Sequence, residues 1–286
     1  MRSSINPFDM DKLYLDFIDK KNDENYVERY TDNEGWYKAS SAGFCSRKQY
    51  YESVLKLTPT LKPKPDSLMK MRLGTIFHDE LQGALKETKN LSLYNIEDNN
   101  NIEVSNNIEV SNSIDKEKDI TNIQKEKWEV HVEGNIELQD LNVRGHFDIV
   151  FEGDKVFLYD IKTIGSYPWS LKFGRKKMND TSRAYPLQLG TYGLGVEEVF
   201  GRIDGMYLYY YNKDTSKTKT IEVPMVEKSK AYIYWEGINE EHAKGLPKLE
   251  LGSSPEQQWA CGFCSFKDVC KPEAFIEHNK QKGMWY

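Results

Sequence analysis

Long apolar runs are missing from this chain. None comes near the roughly 20 consecutive apolar residues that a bilayer span needs. The opening segment, Met-Arg-Ser-Ser-Ile-Asn-Pro-Phe-Asp-Met, also lacks an apolar stretch of signal-peptide length. These two absences lead us to expect a cytoplasmic protein. Positive charge is not in excess either. A formal net charge of −6 argues against a protein that coats DNA, although an enzyme with a local basic groove is compatible with it. Hydrophobic residues make up a modest 38%, so 286 residues suffice for one large domain, or one domain with a small appendage.

Cysteine is scarce, and its placement is informative. Cys261, Cys264 and Cys270 follow a C-x2-C-x5-C spacing near the C-terminus, whereas Cys45 lies more than two hundred residues upstream. A tight trio plus one distant residue is a ligand set for a metal centre rather than two local disulfides. In a reducing compartment, cysteine clusters bind metal or do chemistry. Thiolates favour zinc or an iron–sulfur cluster. A zinc reading would recruit His278 through C-x2-C-x5-C-x7-H and leave Cys45 free.

Residues 1–37 are polar, acidic and tyrosine-rich, and read as short helices. Ser40–Tyr51 opens a helix, prolines at 59, 63 and 65 mark a loop, and Met69, Leu73, Phe77, Leu81 and Leu85 follow helical spacing. The hexapeptide Asn-Ile-Glu-Val-Ser-Asn occurs at 101–106 and again at 107–112, inside an acid-rich stretch. Residues 95–126 are therefore expected to form a flexible surface insertion. Alternation returns from Glu129 to Leu138, and again in Val143–Phe151 and Lys155–Ile161 with Glu152-Gly153-Asp154 as the turn. A basic and aromatic connection (166–183), a helix from Pro186, a hairpin (205–223) and a helix (226–243) follow. This order predicts a mixed sheet flanked by helices.

Four constellations within this frame can carry chemistry. Asp160 and Lys162 stand at i and i+2 of one strand and share a face, and the hairpin can set Asp148 beside them. Two such carboxylates bind a hard cation such as Mg²⁺, and a lysine there can orient a water. A solvated strand edge would also contain Asp-x-Lys. Here, however, the motif follows the apolar Val156-Phe157-Leu158, as a strand end entering a cleft would. His78 can join the carboxylates, with Glu80 in reserve on the same turn. Gln188 and Tyr192, at i and i+4, share a helix face, and Gly190 and Gly193 between and beside them point to close approach by another backbone or a ligand. Lys172, Arg175, Lys176, Lys177 and Arg183 lie among Tyr167, Trp169 and Phe173, a composition suited equally to a solvated loop and to single-stranded nucleic acid.

Taken in order, these pieces resemble the RecB-like branch of the PD-(D/E)XK nucleases that carries a four-cysteine iron–sulfur cluster. The nuclease domain of AddB, the CRISPR-associated adaptation exonucleases and phage-encoded relatives belong to that branch. The matching residues are Cys45 in Ser-Ala-Gly-Phe-Cys, His78 in Gly-Thr-Ile-Phe-His and Asp148 in Gly-His-Phe-Asp. They continue with Asp160-Ile161-Lys162, Gln188-x3-Tyr192 and the cysteine trio. The resemblance implies an α/β restriction-endonuclease-like fold. It implies a nuclease domain over 40–275, with an iron–sulfur lobe made of Cys45 and residues 255–275, a 1–39 extension and a 276–286 tail. His78, Asp148, Asp160 and the Ile161 carbonyl would bind Mg²⁺ or Mn²⁺, Lys162 would activate water, and Gln188 and Tyr192 would support the site. Cys45, Cys261, Cys264 and Cys270 would hold a structural [4Fe–4S] cluster. The expected activity is that of a metal-dependent exonuclease on single-stranded or frayed DNA, in CRISPR adaptation, recombination or repair and in company with proteins of those pathways. The competing expectations are a non-catalytic DNA-binding or assembly protein with the same fold, and a zinc-stapled structural protein.

Overall fold

A computed structural model describes residues 9–31, 35–59, 61, 63, 65–88, 128–174, 184–249 and 260–270. The expected insertion (95–126), the tail (276–286), His278 and the basic residues Arg175, Lys176, Lys177 and Arg183 lie outside the described residues.

Among the described residues, six strands form one mixed sheet. They are β1 (Tyr37–Lys38), β2 (Glu129–Leu138), β3 (Val143–Glu152), β4 (Val156–Ile164), β5 (Gly205–Asn212) and β6 (Thr218–Val223). β2 and β4 both run antiparallel to β3, β5 lies parallel to β4, and β6 closes the far edge antiparallel to β5. β1 adds a short parallel pairing to the start of β3. Helices α1 (Met10–Thr31), α2 (Ser46–Gln49) and α3 (Pro65–Glu87) precede the long sheet strands. Helices α4 (Ser166–Phe173), α5 (Ala184–Phe200), α6 (Val226–Ala243) and α7 (Lys267–Cys270) follow or interrupt them. The mixed sheet flanked by helices agrees with the expectation from element order. No helix among the described residues is long and apolar enough to cross a membrane.

The main core lies between the sheet and α5. Val156 and Leu158 of β4, Met206, Leu208 and Tyr210 of β5 and Phe147 and Val150 of β3 meet Leu189, Tyr192 and Val196 of α5. Along β3 the buried core residues change parity between Phe147 and Val150. Opposite this point, Glu133 of β2 adopts a left-handed φ of 53°. The next residue must be small, because any Cβ on Gly134 would collide with the Phe147 ring. A glycine inside a strand often marks such a local break of the pleat.

Three details differ from the sequence reading. The N-terminal region contains one 22-residue helix rather than short pieces, anchored by the buried Ile18. Residues 166–173 of the expected connection are helical. On α3, Leu68 and Gln82 are buried while Leu73 is exposed, so the buried stripe runs beside the one drawn from Met69, Leu73 and Phe77.

The expected close approach at the α5 glycines is present. A Cβ on Gly190 would strike the Glu227 carbonyl oxygen of α6, and one on Gly193 would lie 2.6 Å from Met206 Sδ. Gly83 of α3 has open space instead. Gly190→Ala should therefore destabilise the chain by about 1–3 kcal/mol through overpacking. Gly83→Ala should be neutral or stabilising by up to about 1 kcal/mol, because alanine is the better helix former. Thermal or urea denaturation of the two variants checks the contrast.

Candidate active site

The site begins where two strands part. β3 and β4 pair only over Ile149–Glu152 and Val156–Tyr159. Beyond Ile149↔Tyr159, β3 runs toward its pairing with β1, and β4 continues beside β5 as far as Ile164. Asp148 and Asp160 are the next residues on each strand, so they flank the opening. The Ile161 N–H at the fork has no β3 carbonyl opposite it. It donates instead to Asp148 Oδ2 at 2.6 Å.

Strand alternation carries Val156 and Leu158 into the core and then delivers Asp160 and Lys162 to the same face. Lys162 Nζ lies 2.6 Å from Asp160 Oδ2 and donates to Gln188 Oε1 at 3.0 Å. Gln188 in turn donates from Nε2 to the Tyr192 hydroxyl at 3.0 Å. The i, i+4 spacing on α5 thus builds a relay of fixed orientation, Asp160–Lys162–Gln188–Tyr192. The Lys162 ammonium also sits 4.9 Å above the Tyr185 ring.

His78 approaches from the opposite side, on α3. One turn earlier, Gly74 lies against β4, where a Cβ would come within 2.8 Å of Thr163 Oγ1. That approach brings His78 Nδ1 to 3.9 Å from Asp148 Oδ2. His78, Asp148 and Glu133 form a group whose ligand atoms all lie within 4.8 Å of one another. Gln82 secures it, donating to Glu133 Oε1 at 2.7 Å and to the Asp148 carbonyl oxygen at 3.5 Å. Glu80, the reserve carboxylate, is exposed on α3.

Neither Glu133 nor Gln82 was among the residues expected from sequence. The available signal was the glycine that follows Glu133 inside an alternating strand. Lys172 rests 5.0 Å above the Tyr210 ring. Tyr167 on the same helix projects into solvent.

The electrostatics of the group suit a cation. Burial first, and then the Asp160 charge, push the Asp148 carboxyl up to about 8. Burial lowers His78. Burial works against the Lys162 charge, but the neighbouring Asp160 and Asp148 outweigh it and raise the lysine. Asp160 is 2% exposed, and its Oδ2 has the Lys162 ion pair but no well-directed hydrogen bond. His78, Glu133 and Asp148 offer converging ligand atoms that fit a hard divalent ion, while the buried Asp160 beside them is held by the Lys162 ion pair.

Cys45, Cys264 and Cys270 come near one another elsewhere. Cys45 precedes α2 and lies within electrostatic reach of Cys264 and Cys270. The Cys264 N–H donates to the Cys261 carbonyl, and the Cys270 N–H to that of Phe266, which is fully buried. Burial raises the Cys45 and Cys264 thiols. No three of the thiols lie within 4.8 Å of one another in the way that His78, Glu133 and Asp148 do.

A family model described as PD-(D/E)XK nuclease superfamily matches residues 38–271. No curated protein matches. Among solved structures, that of SSO0001 is similar at 18% identity with a TM-score of 0.48, covering 90% of this chain and 96% of that one.

Asp148 supplies a pH test. Its carboxyl stays protonated to about pH 8 in the folded chain, but ionises near pH 4 when unfolded. Between these values the folded state binds more protons, so this group makes stability fall as pH rises. Metal-free Asp148→Asn should therefore melt above the parent chain at pH 8 and converge with it near pH 4. Excess Mn²⁺ should raise the melting temperature of the parent chain only. Equal melting at pH 8 would mean that the carboxylate is already compensated without metal.

Proposed function

The chain belongs to the PD-(D/E)XK nuclease superfamily, and on that premise we propose that it is a metal-dependent deoxyribonuclease, an exonuclease on single-stranded or frayed DNA ends. The observation that carries this reading is the buried Asp160–Lys162 pair, tied to Gln188 on one side and facing Asp148 across the strand fork. A binding module has no need of a desolvated lysine held between a carboxylate and an amide.

A divalent cation, Mg²⁺ or Mn²⁺, supplies Lewis-acid stabilisation of the scissile phosphate and acidifies a water when bound. Asp148, Asp160, His78 and the Ile161 carbonyl are the residues to hold it, with Glu133 adjoining. Lys162 orients the attacking water and offsets negative charge as it builds on the phosphate. Gln188 fixes the Lys162 rotamer, and Tyr192 fixes Gln188. Burial of Asp160 and Lys162 keeps bulk water from screening these charges.

Helix α4, with Lys172 over Tyr210 and an exposed Tyr167, supports contact with single-stranded substrate. CRISPR adaptation, recombination and repair are the pathways that suit such an activity, with the proteins of those pathways as partners. In the same reading Cys45, Cys261, Cys264 and Cys270 hold a [4Fe–4S] cluster with a structural rather than redox-catalytic role. The C-x2-C-x5-C trio closed by one distant cysteine supports this over zinc, whose modules more often show two C-x-x-C pairs.

Lys162→Ala should slow cleavage of linear single-stranded DNA by at least about a hundredfold, the range seen when a proton-handling group is removed. DNA binding, followed by fluorescence anisotropy in Ca²⁺, should persist. Unchanged cleavage in Mg²⁺ and Mn²⁺ would end the assignment.

A further inference from the structure

The residues that follow Cys45 reach, one after another, across to the C-terminal half of the chain. Ser46 Oγ donates to Glu241 and lies 3.0 Å from His242 Nε2, both near the end of α6. Gln49 is buried and donates to the Tyr234 hydroxyl at 2.7 Å. Between them, Arg47 spreads its guanidinium over two targets. Nε and Nη2 donate to the Pro247 carbonyl at 2.9 and 2.7 Å, while Nη1 reaches Cys270 Sγ at 4.0 Å. Tyr51, one turn further on, lies within electrostatic reach of Cys270 and packs its ring on Phe266. Lys48 acts on Cys264 through its charge, with Glu52 beside it acting in the opposite sense.

We propose that Arg47 is the positioning residue of the thiol centre: it fixes Cys270 against Cys45, and its permanent charge and N–H···S contact set how firmly, and at what potential, the four sulfurs hold their metal. This rests on the reading that the four cysteines share one centre. The geometry favours Arg47 over a merely structural arginine. A guanidinium serving only the backbone would spend its donors on carbonyls, yet this one turns Nη1 to a sulfur. The Tyr51 side chain lies close to the same residue. Cys270 thus takes an Arg47 donor from the helical stretch that Cys45 begins. Four thiolates around a metal carry a large negative charge in a half-buried site, and a fixed cation beside them offsets it. Donors to ligating sulfurs raise the potential of an iron–sulfur cluster, and losing them lowers it. In a zinc site the same donors strengthen retention.

The test uses the full-length chain, purified without oxygen and reconstituted in parallel with ferrous iron plus sulfide and with zinc alone. Metal content, loss of metal to a chelator and, for the iron form, the midpoint potential are measured for the parent, Arg47→Gln, Arg47→Lys and Tyr51→Phe. Arg47→Gln should lose metal roughly ten- to hundredfold more readily, as outer-shell substitutions do, and its iron form should show a more negative potential. Arg47→Lys should keep the parent potential while losing part of the retention, because it preserves the charge but not the fork. If Arg47→Gln lacks the parent circular dichroism, Tyr51→Phe, which keeps the ring contact, should still show the shift in potential or retention. Parent-like retention and potential in both variants would overturn the inference while leaving the shared centre intact. A parent chain that takes up neither iron nor zinc through its cysteines would overturn both.

Discussion

The rest of the structure depends on the point where β3 and β4 separate. A paired strand satisfies its own backbone, and a carboxylate beside it would gain nothing from the ladder. Past Ile149↔Tyr159 the pairing stops, and the Ile161 N–H takes Asp148 as its acceptor. That single bond draws a buried acid toward Asp160, and the two charges repel. Lys162 compensates on one side. On the other, His78 and Glu133 extend the group without cancelling its charge. Burial first, and then the Asp160 charge, raise the affinity of Asp148 for a proton, and a bound divalent cation would offset both. The fold positions this imbalance from both faces, with α5 delivering Gln188 and α3 delivering His78 past a glycine.

The chain's distant segments are joined by protein contacts around the region of the cysteines. Ser46, Arg47 and Gln49 each reach residues from 234 to 270, Leu61 donates to the Ser265 carbonyl, and Tyr51 packs on the buried Phe266. Closing so long a stretch of chain restricts the unfolded state. The metal proposed for the cysteines would add to a junction already made by polar and aromatic contacts. Its place away from Asp148 and Lys162 agrees with a supporting role for the thiols rather than a part in cleavage.

The parts legible in the sequence are those in which spacing alone fixes geometry. The two-residue period of a strand places Asp160 and Lys162 on one face, and the four-residue step of a helix does the same for Gln188 and Tyr192. The order of alternating and helical segments gives the mixed sheet with helices about it. Glu133 was not legible, because it reaches His78 through a left-handed backbone turn opposite Asp148, next to a Gly134 over which the Phe147 ring packs. The reach of Arg47 was hidden as well, since both its targets are set by tertiary contact across two hundred residues. Leu73 misled for the same reason: helical spacing defines a stripe, but the sheet it packs on decides which edge of the stripe is buried.

The central claim is that the strand fork holds a catalytic divalent ion. Crystals grown with Mn²⁺ and measured at an anomalous wavelength test it most directly. The account predicts a peak bounded by Asp148, Asp160 and His78, close to the Ile161 carbonyl. A peak found only at the sheet-edge group of Glu129, His131 and Glu152, or no peak with the fork residues ordered, would contradict it.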